Sequence, residues 1–503
     1  MNTRVFDTDR RIKLGIWGLG RGASFVRTCG ALNMDVVAGC DRGEAARERF
    51  KRQVPGARLT ASEDEFLDFD IDAVLIATFC PDHALHAIKC LEAGKHVLSE
   101  VTAFHTPAQG VSLIETVERT GLVYNLAENY PFNKARMYLA KKWEEGFFGD
   151  LLYGENEYNH DSRRPLTFRY NLGRSAVVEP GWSLHAWRSW KHQHFYCTHS
   201  LGPLMHITGG RAVRVVSLPG KNSMAANISQ VKASGIATVA PSLLTMDNGG
   251  VVRNFMGSTP SDTHLLRLWG TRAAAEWDGA LRLRLGGKGG ASMFEVTPRW
   301  PTLGHLAETM GHGGGDFWVL YHFAREVLTG EPAFWNVGRA AEVTLPGIFA
   351  YRSALANGEP QEIPDFSRTQ DREAFRKDDQ GQRRYDWENG PFPIDADRES
   401  LNDFTTVMTA LIEVHATGAR AALDCLSVKD DLIDKKSIGP VLGKFVVNFG
   451  DMKSTFRRAR EIIEAYPASD GAQMLREMLD VADAEAVETD EFLKQVSEEL
   501  QSL

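Results

Sequence analysis

The sequence predicts an α/β chain: a doubly wound parallel sheet first, then an α+β domain on an open, mostly antiparallel sheet, then a helical extension. Three observations carry this reading. A glycine-rich loop, Gly18-Leu-Gly-Arg-Gly-Ala23, joins a short apolar strand to a helical segment. Apolar strands and amphipathic helices then alternate as far as Glu128. After Pro131 the helices give way to closely spaced strands, with a hairpin signal at Asp247-Asn-Gly-Gly250.

Taken in order, Arg11 to Gly18 reads as a strand, Phe25 to Leu32 as a helix, and Val36 to Cys40 as a second strand ending on Asp41. The spacing G-x-G-x-x-A with an acidic residue 23 positions after Gly18 is a dinucleotide-binding βαβ fingerprint, and the domain is of Rossmann type. Gly18 allows the tight turn and Gly20 lets the backbone approach a pyrophosphate. Ala23 keeps the helix close to the sheet, whose N-terminus receives the phosphates together with Arg21 and Gly22. Asp41 accepts from the ribose hydroxyls and repels a 2′-phosphate, which favours NAD over NADP; the neighbouring Arg42 softens that preference.

Helices follow at Ala45 to Gln53, Glu63 to Phe66, His83 to Ala93 and Pro107 to Thr120. Strands follow at Ile71 to Thr78, His96 to Glu100 and Leu122 to Glu128. Chemistry is expected at the carboxyl ends of these strands: the glycine loop, Asp41, Thr78 to His83, Glu100 to Thr102, and Glu128-Asn129. The predicted Rossmann domain covers residues 1–130.

The second domain, residues 131–366, opens with a helical stripe of Leu139, Trp143 and Phe147. Strands are expected at Leu151 to His160, Ala212 to Leu218, Ser242 to Met246, Val251 to Met256, Leu265 to Trp269 and Ala280 to Leu285. Helices return at Asp316 to Leu328 and Val337 to Leu355. The polar stretch from Pro364 to Pro393 reads as an extended connector, assigned to residues 367–399, and residues 400–503 have helical periodicity without a chemical motif.

Composition narrows the function classes. The net charge of −9 and the absence of a long basic block argue against nucleic acid and anionic membranes as partners. No apolar run in the sequence reaches membrane-spanning length. The six cysteines (29, 40, 80, 90, 197 and 425) show no metal-like spacing, which suits reduced thiols and a cytoplasmic location. Arg10-Arg11 leads straight into the first strand and is read as strand, not as a twin-arginine signal.

Beyond these local readings, Gly18-Leu-Gly-Arg-Gly22, Ala73-Val-Leu-Ile-Ala-Thr78, His83 with His86, Glu92-Ala-Gly-Lys-His-Val-Leu-Ser-Glu100 and Pro364-Asp-Phe366 resemble the Gfo/Idh/MocA oxidoreductase family. That resemblance covers residues 10 to 366. The family's usual Glu-Lys-Pro is here Glu100-Val101-Thr102, and valine cannot shuttle a proton. Five further motifs occur in one order: Ala127-Glu-Asn-Tyr130, Gly149-Asp-Leu-Leu-Tyr-Gly-Glu155, Glu157-Tyr-Asn-His-Asp161, Tyr196-Cys-Thr-His-Ser-Leu-Gly-Pro203 and Gly311-His-Gly-Gly-Gly-Asp316. They resemble the NAD-dependent glycosidase branch, the α-N-acetylgalactosaminidases of glycoside hydrolase family 109, which also lacks the lysine.

The resemblance implies a carbohydrate substrate, a homo-oligomer, and a glycoside cleaved by transient oxidation at sugar carbon 3, elimination across carbons 2 and 1, and water addition. It assigns Tyr158 as the carbon 2 base and His199 as partner to the carbon 3 hydroxyl, with Tyr196 and Glu128 positioning and His160 an auxiliary ligand. Thr78, His83, Glu100 and Asn129 join the cofactor set, while Trp187, His312 and Asp316 are candidate substrate contacts. Residue by residue, plainer roles compete: Tyr158 and Tyr196 as packing, His199 as a helix cap, His160 as a turn partner of Asp161, His312 and Asp316 as an N-cap arrangement. The pair His192 and His194 lacks an adjacent carboxylate, so no metal site is assigned. Asp161 to His194, with Trp182 and Trp190, is expected to line the cleft. The alternatives are a sugar or cyclitol dehydrogenase that releases NADH, and a non-catalytic NAD- or sugar-binding protein.

Overall fold

The structure is a computed structural model. It describes residues 5–160, 187, 190–224, 227–259, 262–286 and 293–382, and after these 403–404, 406–407, 410–411, 416–427 and 435–503. The chain divides into two compact units. The first comprises Met1–His160, Lys191–Asn222 and Ser234–Arg383; the second comprises Asp161–Trp190, Ser223–Ala233 and Arg384–Leu503.

In the first unit, strands β1 (Ile12–Trp17), β2 (Met34–Cys40), β3 (Arg58–Thr60), β4 (Ala73–Ile76), β5 (His96–Ser99) and β6 (Tyr124–Leu126) form one parallel sheet in the order β3-β2-β1-β4-β5-β6. This is the dinucleotide-binding order, in which the succession of strands reverses between β1 and β4. Leu14, Ile16, Val74, Leu75, Ile76, Val97 and Leu98 are almost wholly buried, as expected where helices cover both faces. The helix Pro107–Thr120 starts at a capping box in which Thr106 accepts from Gln109 N, and ends at Gly121.

One element departs from expectation. The segment after the glycine loop is not one regular helix but a 3-10 turn Gly22–Phe25, a single α-turn Val26–Cys29 and a second 3-10 turn Gly30–Leu32. The closest approach to the sheet also falls on Gly22 rather than Ala23. A Cβ on Gly22 would stand 2.5 Å from Ile16 Cγ2, whereas Ala23 is half-buried.

The second sheet has nine strands: β7 (Leu151–His160), β8 (Ala212–Ser217), β9 (Ser242–Met246), β10 (Val251–Ser258), β11 (Leu266–Gly270), β12 (Ala274–Trp277), β13 (Leu281–Arg284), β14 (Met293–Val296) and β15 (Gln361–Glu362). Their order is β14-β13-β12-β11-β7-β10-β9-β8-β15, antiparallel except for β7 beside β10. The Asp247–Gly250 turn joins β9 to β10, closed by Met246 N donating to Gly250 O at 2.9 Å. Strand β7 lies centrally in the sheet. Its alternation puts Asn156, Tyr158 and His160 on one face, with Glu155 and Glu157 on the other.

The stretch expected as an extended connector is structured over its first part. Residues Thr369–Phe375 form a helix strapped to the helix Pro107–Thr120 through Arg372–Glu118 at 2.7 Å and Arg376–Glu115 at 2.6 Å. Asp378 O accepts from Ala108 N, and the Asp378 carboxylate pairs with Arg352 at 2.8 Å. The polar residues are there to make these ion pairs, a purpose that composition alone does not distinguish from solvation. Residues 383–399 of the expected connector lie outside the described residues.

The second unit contains helices Ala416–Ser427, Gly439–Ala465, Asp470–Val481 and Asp490–Ser502. Leu442, Phe445, Phe449, Met452, Phe456 and Ala459 form a seam at alternating three- and four-residue spacing on the long helix, and pack with Phe404, Met474, Leu475, Val487 and Val496. Ser469 and Thr489 cap the last two long helices by accepting from Ala472 N and Phe492 N.

Candidate active site

Two polar clusters gather in the first unit, both at the carboxyl ends of the parallel strands. One is built on Glu128, just beyond β6. Glu128 is fully buried, and both of its oxygens lie 2.9 Å from Nδ1 of His199, in the first turn of the helix Thr198–Thr208. A carboxylate only accepts, so Nδ1 carries the proton and Nε2 is the basic atom of the ring. Tyr130 N donates to Glu128 Oε1 at 3.0 Å, and Asn156 Nδ2 donates to the carbonyls of His199 and Ser200, tying this helix to β7.

Around His199 stand three tyrosine rings. Tyr130 stacks on it at 4.4 Å between centroids, Tyr158 lies at 4.8 Å, and Tyr196 meets it edge-on at 5.0 Å. Tyr158 also packs edge-on against Tyr130 at 4.9 Å and His160 at 4.5 Å. His160 pairs with Asp262 at 3.4 Å; its expected turn partner Asp161 is outside the described residues. The structure therefore brings Glu128, Tyr158, His160, Tyr196 and His199 into one cluster.

Four residues of this cluster had no role assigned from the sequence: Tyr130, Arg136, His264 and Asn156. Tyr130 follows the Glu128-Asn129 pair directly. Burial, followed by its neighbour Tyr158, pushes the Tyr130 phenol well above its ordinary value, so it stays neutral. Arg136 is buried beneath it, with its guanidinium 5.3 Å from the Tyr130 ring and 4.8 Å from Trp277, and NH1 donating to Tyr130 O. Burial lowers Arg136 to about 10, which still leaves it charged at neutral pH. His264 lies 5.6 Å from Tyr158 and 5.4 Å from His160, and burial lowers its imidazole below the ordinary value. Position two residues before Tyr158 on the same strand face was the available signal for Asn156; nothing in the sequence pattern marked His264 or Arg136.

The second cluster joins the glycine loop to the helix Gly315–Thr329. Arg21 donates from NH1 and NH2 to both oxygens of Asp316, at 2.8 and 2.7 Å, and from Nε to Glu100 at 2.8 Å. Asn129 Nδ2 donates to Asp316 Oδ1 at 2.8 Å, and His312 Nδ1 lies 3.1 Å from both oxygens. Burial alone would raise the Asp316 carboxyl, but the bonds from His312 and Arg21 outweigh it and hold it well below the usual carboxylate range. Asp316 is therefore occupied as a strut for Arg21 and Asn129 within this structure.

The glycine loop fits a dinucleotide. Gly18 has φ +94°, and a Cβ there would lie 2.3 Å from Ala77 O, so only glycine is accommodated. A Cβ on Gly20 would meet nothing within 4 Å, which leaves open space over the loop. Asp41 is fixed at the edge of that space by Leu19 N and Gly43 N, each donating at 2.8 Å, and Arg42 beside it is exposed. Thr78 Oγ1 contacts His86 Nδ1 at 2.7 Å, and His83 lies buried between the carbonyls of Thr78 and Thr102. Burial, with help from His86 and Lys191, lowers His83 to about 3 and keeps it neutral.

Other expected residues fall elsewhere. His192 and His194 are not on a strand but open the 3-10 turn Gln193–Tyr196, where they bond Ala237 O at 2.9 Å and Ser217 Oγ at 3.0 Å. Trp187 and Trp190 are grouped with the second unit, and Trp190 is buried. Trp182 and the rest of residues 161–186 are outside the described residues.

Comparison with known proteins adds the following. Residues 12–128 match the family model described as oxidoreductase family, NAD-binding Rossmann fold, and residues 294–373 match the model of the glycosyl hydrolase 109 C-terminal domain. A glycosyl hydrolase family 109 protein of Saccharopolyspora erythraea is 27% identical over 409 residues, covering 72% of this chain and 85% of that protein. One from Solibacter usitatus is 26% identical over 406 residues, covering 72% and 90%. Among solved structures, levoglucosan dehydrogenase in complex with NADH and L-sorbose superposes with TM-score 0.57 at 17% identity, covering 71% of this chain and all of that one. Aldose-aldose oxidoreductase from Caulobacter crescentus, complexed with glycerol, does so with TM-score 0.54 at 17% identity, covering 70% and 100%. At such identities these two likenesses establish the shared fold.

Proposed function

We propose that the chain, whose residues 12–128 match the NAD-binding oxidoreductase family model and whose residues 294–373 match the glycosyl hydrolase 109 C-terminal model, is an NAD-dependent glycosidase. It cleaves a carbohydrate substrate by transient oxidation at carbon 3, elimination and water addition. The single observation that carries this reading is the buried Glu128–His199 pair set among Tyr158, Tyr196 and His160.

NAD, when bound, supplies a reversible hydride acceptor. Gly18, Gly20, Gly22 and Ala23 would hold the phosphates, Asp41 and Arg42 the adenosine ribose, and Thr78, His83 and Asn129 the far end, with Arg21 and Glu100 bracing the loop. Within the second domain, Nε2 of His199 takes the carbon 3 hydroxyl proton, and Glu128 stabilises the imidazolium that results. Tyr158 removes the carbon 2 proton, Tyr196 and His160 orient the ring, and His312 borders the cleft. Asp316, with its oxygens already engaged, positions Arg21 instead of touching sugar. The protein works in the cytoplasm as a homo-oligomer.

Aryl glycosides and free sugars, followed for aglycone release and for NADH absorbance, test the reading. Release without net NADH, abolished by stripping the cofactor, is the expected result; net NADH from free sugars would replace it with the dehydrogenase. Tyr158→Phe is expected to slow exchange of the carbon 2 proton with solvent deuterium, and unchanged exchange removes Tyr158 from the base role.

A further inference from the structure

We propose that Arg136 is a positioning residue for the Glu128–His199 pair, closing a ring of hydrogen bonds around it and offsetting the charge of its carboxylate; the purpose of this device rests on the glycosidase reading. The ring can be followed bond by bond. Glu128 Oε1 accepts from Tyr130 N at 3.0 Å, and Tyr130 O accepts from Arg136 NH1 at 2.8 Å. Arg136 NH2 donates to Asn156 Oδ1 at 3.3 Å, and Asn156 Nδ2 donates to the carbonyls of His199 and Ser200 at 3.3 and 2.8 Å. His199 Nδ1 then returns to Glu128 at 2.9 Å. The guanidinium, on the helix Lys134–Glu144, thus joins the 3-10 turn Tyr130–Phe132 to β7, and β7 to the helix that carries His199. A planar fork of donors suits that task.

The charges are as closely matched as the bonds. Arg136 is 2% exposed and Glu128 0%, so each needs an opposite charge within the interior. Among the described residues no carboxylate forms a direct ion pair with Arg136. Burial works against its charge, while the Tyr130 phenol and the Glu128 carboxylate work for it. A buried carboxylate without such an offset strengthens the hold of its imidazole on a proton. In the proposed cycle His199 takes the carbon 3 hydroxyl proton as the sugar is oxidised and returns it to the same oxygen as the ketone is reduced. A ring that held this proton too firmly would stall between the two steps. The other titratable groups facing His199 are Tyr130, Tyr158, Tyr196, Cys197 and His264, and burial favours the neutral forms of Tyr130, Cys197 and His264. Lys191 is a further cation, in reach of Cys197. All of these are common to the variants compared below.

The test follows the His199 ring by ¹⁵N NMR through a pH titration of the full-length protein, with its signal identified by loss in His199→Gln, and measures aglycone release beside it. Arg136→Met is expected to move the midpoint of the ring titration up by about one pH unit, because a positive charge no longer opposes the imidazolium. Arg136→Lys keeps the charge and loses the fork, so its midpoint should stay within about 0.3 unit of wild type while turnover falls. A merely structural arginine would slow both variants and leave both midpoints in place. An unmoved midpoint in folded Arg136→Met overturns the inference, and so does an equal shift in Arg136→Lys. If Arg136→Met fails to fold, Arg136→Gln carries the same expectation and the same refutation. A shifted midpoint in protein that releases no aglycone supports the coupling of Arg136 to the pair and overturns the glycosidase reading instead.

Discussion

Glu128→Gln isolates what the buried carboxylate does. Both oxygens face His199 Nδ1 at 2.9 Å, while Oε1 also accepts from Tyr130 N at 3.0 Å. A carboxamide has one accepting end. Keeping its oxygen on Tyr130 N turns the amide NH₂ toward Nδ1, which then accepts and moves the ring proton to Nε2. The basic atom of His199 is lost, along with the negative charge that stabilises the imidazolium. Inverting the tautomer of a catalytic histidine by an acid-to-amide change costs roughly 10³–10⁴-fold in rate, or about 4–5.5 kcal/mol of barrier. The side chain is isosteric, so folding should lose only about 1 kcal/mol, the gap between a charge-assisted and a neutral hydrogen bond. The assay is aglycone release from the best aryl glycoside, with ¹⁵N shifts of the His199 ring as the structural readout. A rate within about threefold of wild type, or an unchanged ring tautomer, refutes the argument.

Three further outcomes follow from the geometry. Gly18→Ala sets a Cβ 2.3 Å from Ala77 O at φ +94°, so NADH affinity by fluorescence titration should fall at least about tenfold; unaltered affinity would contradict the loop assignment. Asp316→Asn removes the charge beneath the Arg21 fork and should cost about 2 kcal/mol in urea unfolding near neutral pH. Because the folded Asp316 pKa is depressed, its contribution is present above the unfolded value of about 3.9 and is lost as pH falls through the folded one, so the two proteins converge in acid. Equal stability at neutral pH would dismiss the strut. Burial lowers His83 and His322 to about 3, and His192 and His206 to about 4. The unfolded chain protonates these four below about pH 6.5 while the folded one does not, so thermal midpoints should drop from pH 6.5 toward pH 4. A flat profile over that range would show that these imidazoles protonate without unfolding.

The parallel sheet was legible because its strands are continuous apolar runs bounded by turn residues, and its loop has a spacing that only a close phosphate approach requires. The second sheet was legible where strands alternate, as in β7, β9 and β10. Strand β12 (Ala-Ala-Glu-Trp) and strand β14, with Met293 and Phe294 exposed, lack a one-sided pattern and gave no signal. The parallel pairing of β7 with β10 was unreadable because register is a property of the packed sheet. In the site, the motifs named Glu128 and His199 but not their contact across 71 positions of sequence. His264 and Lys191 belong to no repeating pattern, so only the fold shows what they face.

The distribution of carboxylates argues for the chemistry. Glycosidases of the common kinds use two carboxyl groups facing the scissile bond, about 5–9.5 Å apart. Among the described residues of this first unit, the buried carboxylates around the strand ends are each committed. Glu128 orients His199, Glu100 and Asp316 hold Arg21, and Glu155 and Glu157 sit on the reverse face of β7 in pairs with Arg253 at 2.9 and 2.8 Å. What faces the open side of β7 is phenol and imidazole: Tyr158, Tyr196, His160 and His199. Such groups exchange protons with hydroxyls, and with carbon acids once a neighbouring ketone has weakened the C–H bond. They are weak acids for forcing out a glycosidic oxygen unaided. A site that spends its carboxylates on orientation and leaves tyrosine and histidine for proton transfer needs the sugar activated first, and the glycine loop at residues 18–23 supplies the means to do so by holding a hydride acceptor.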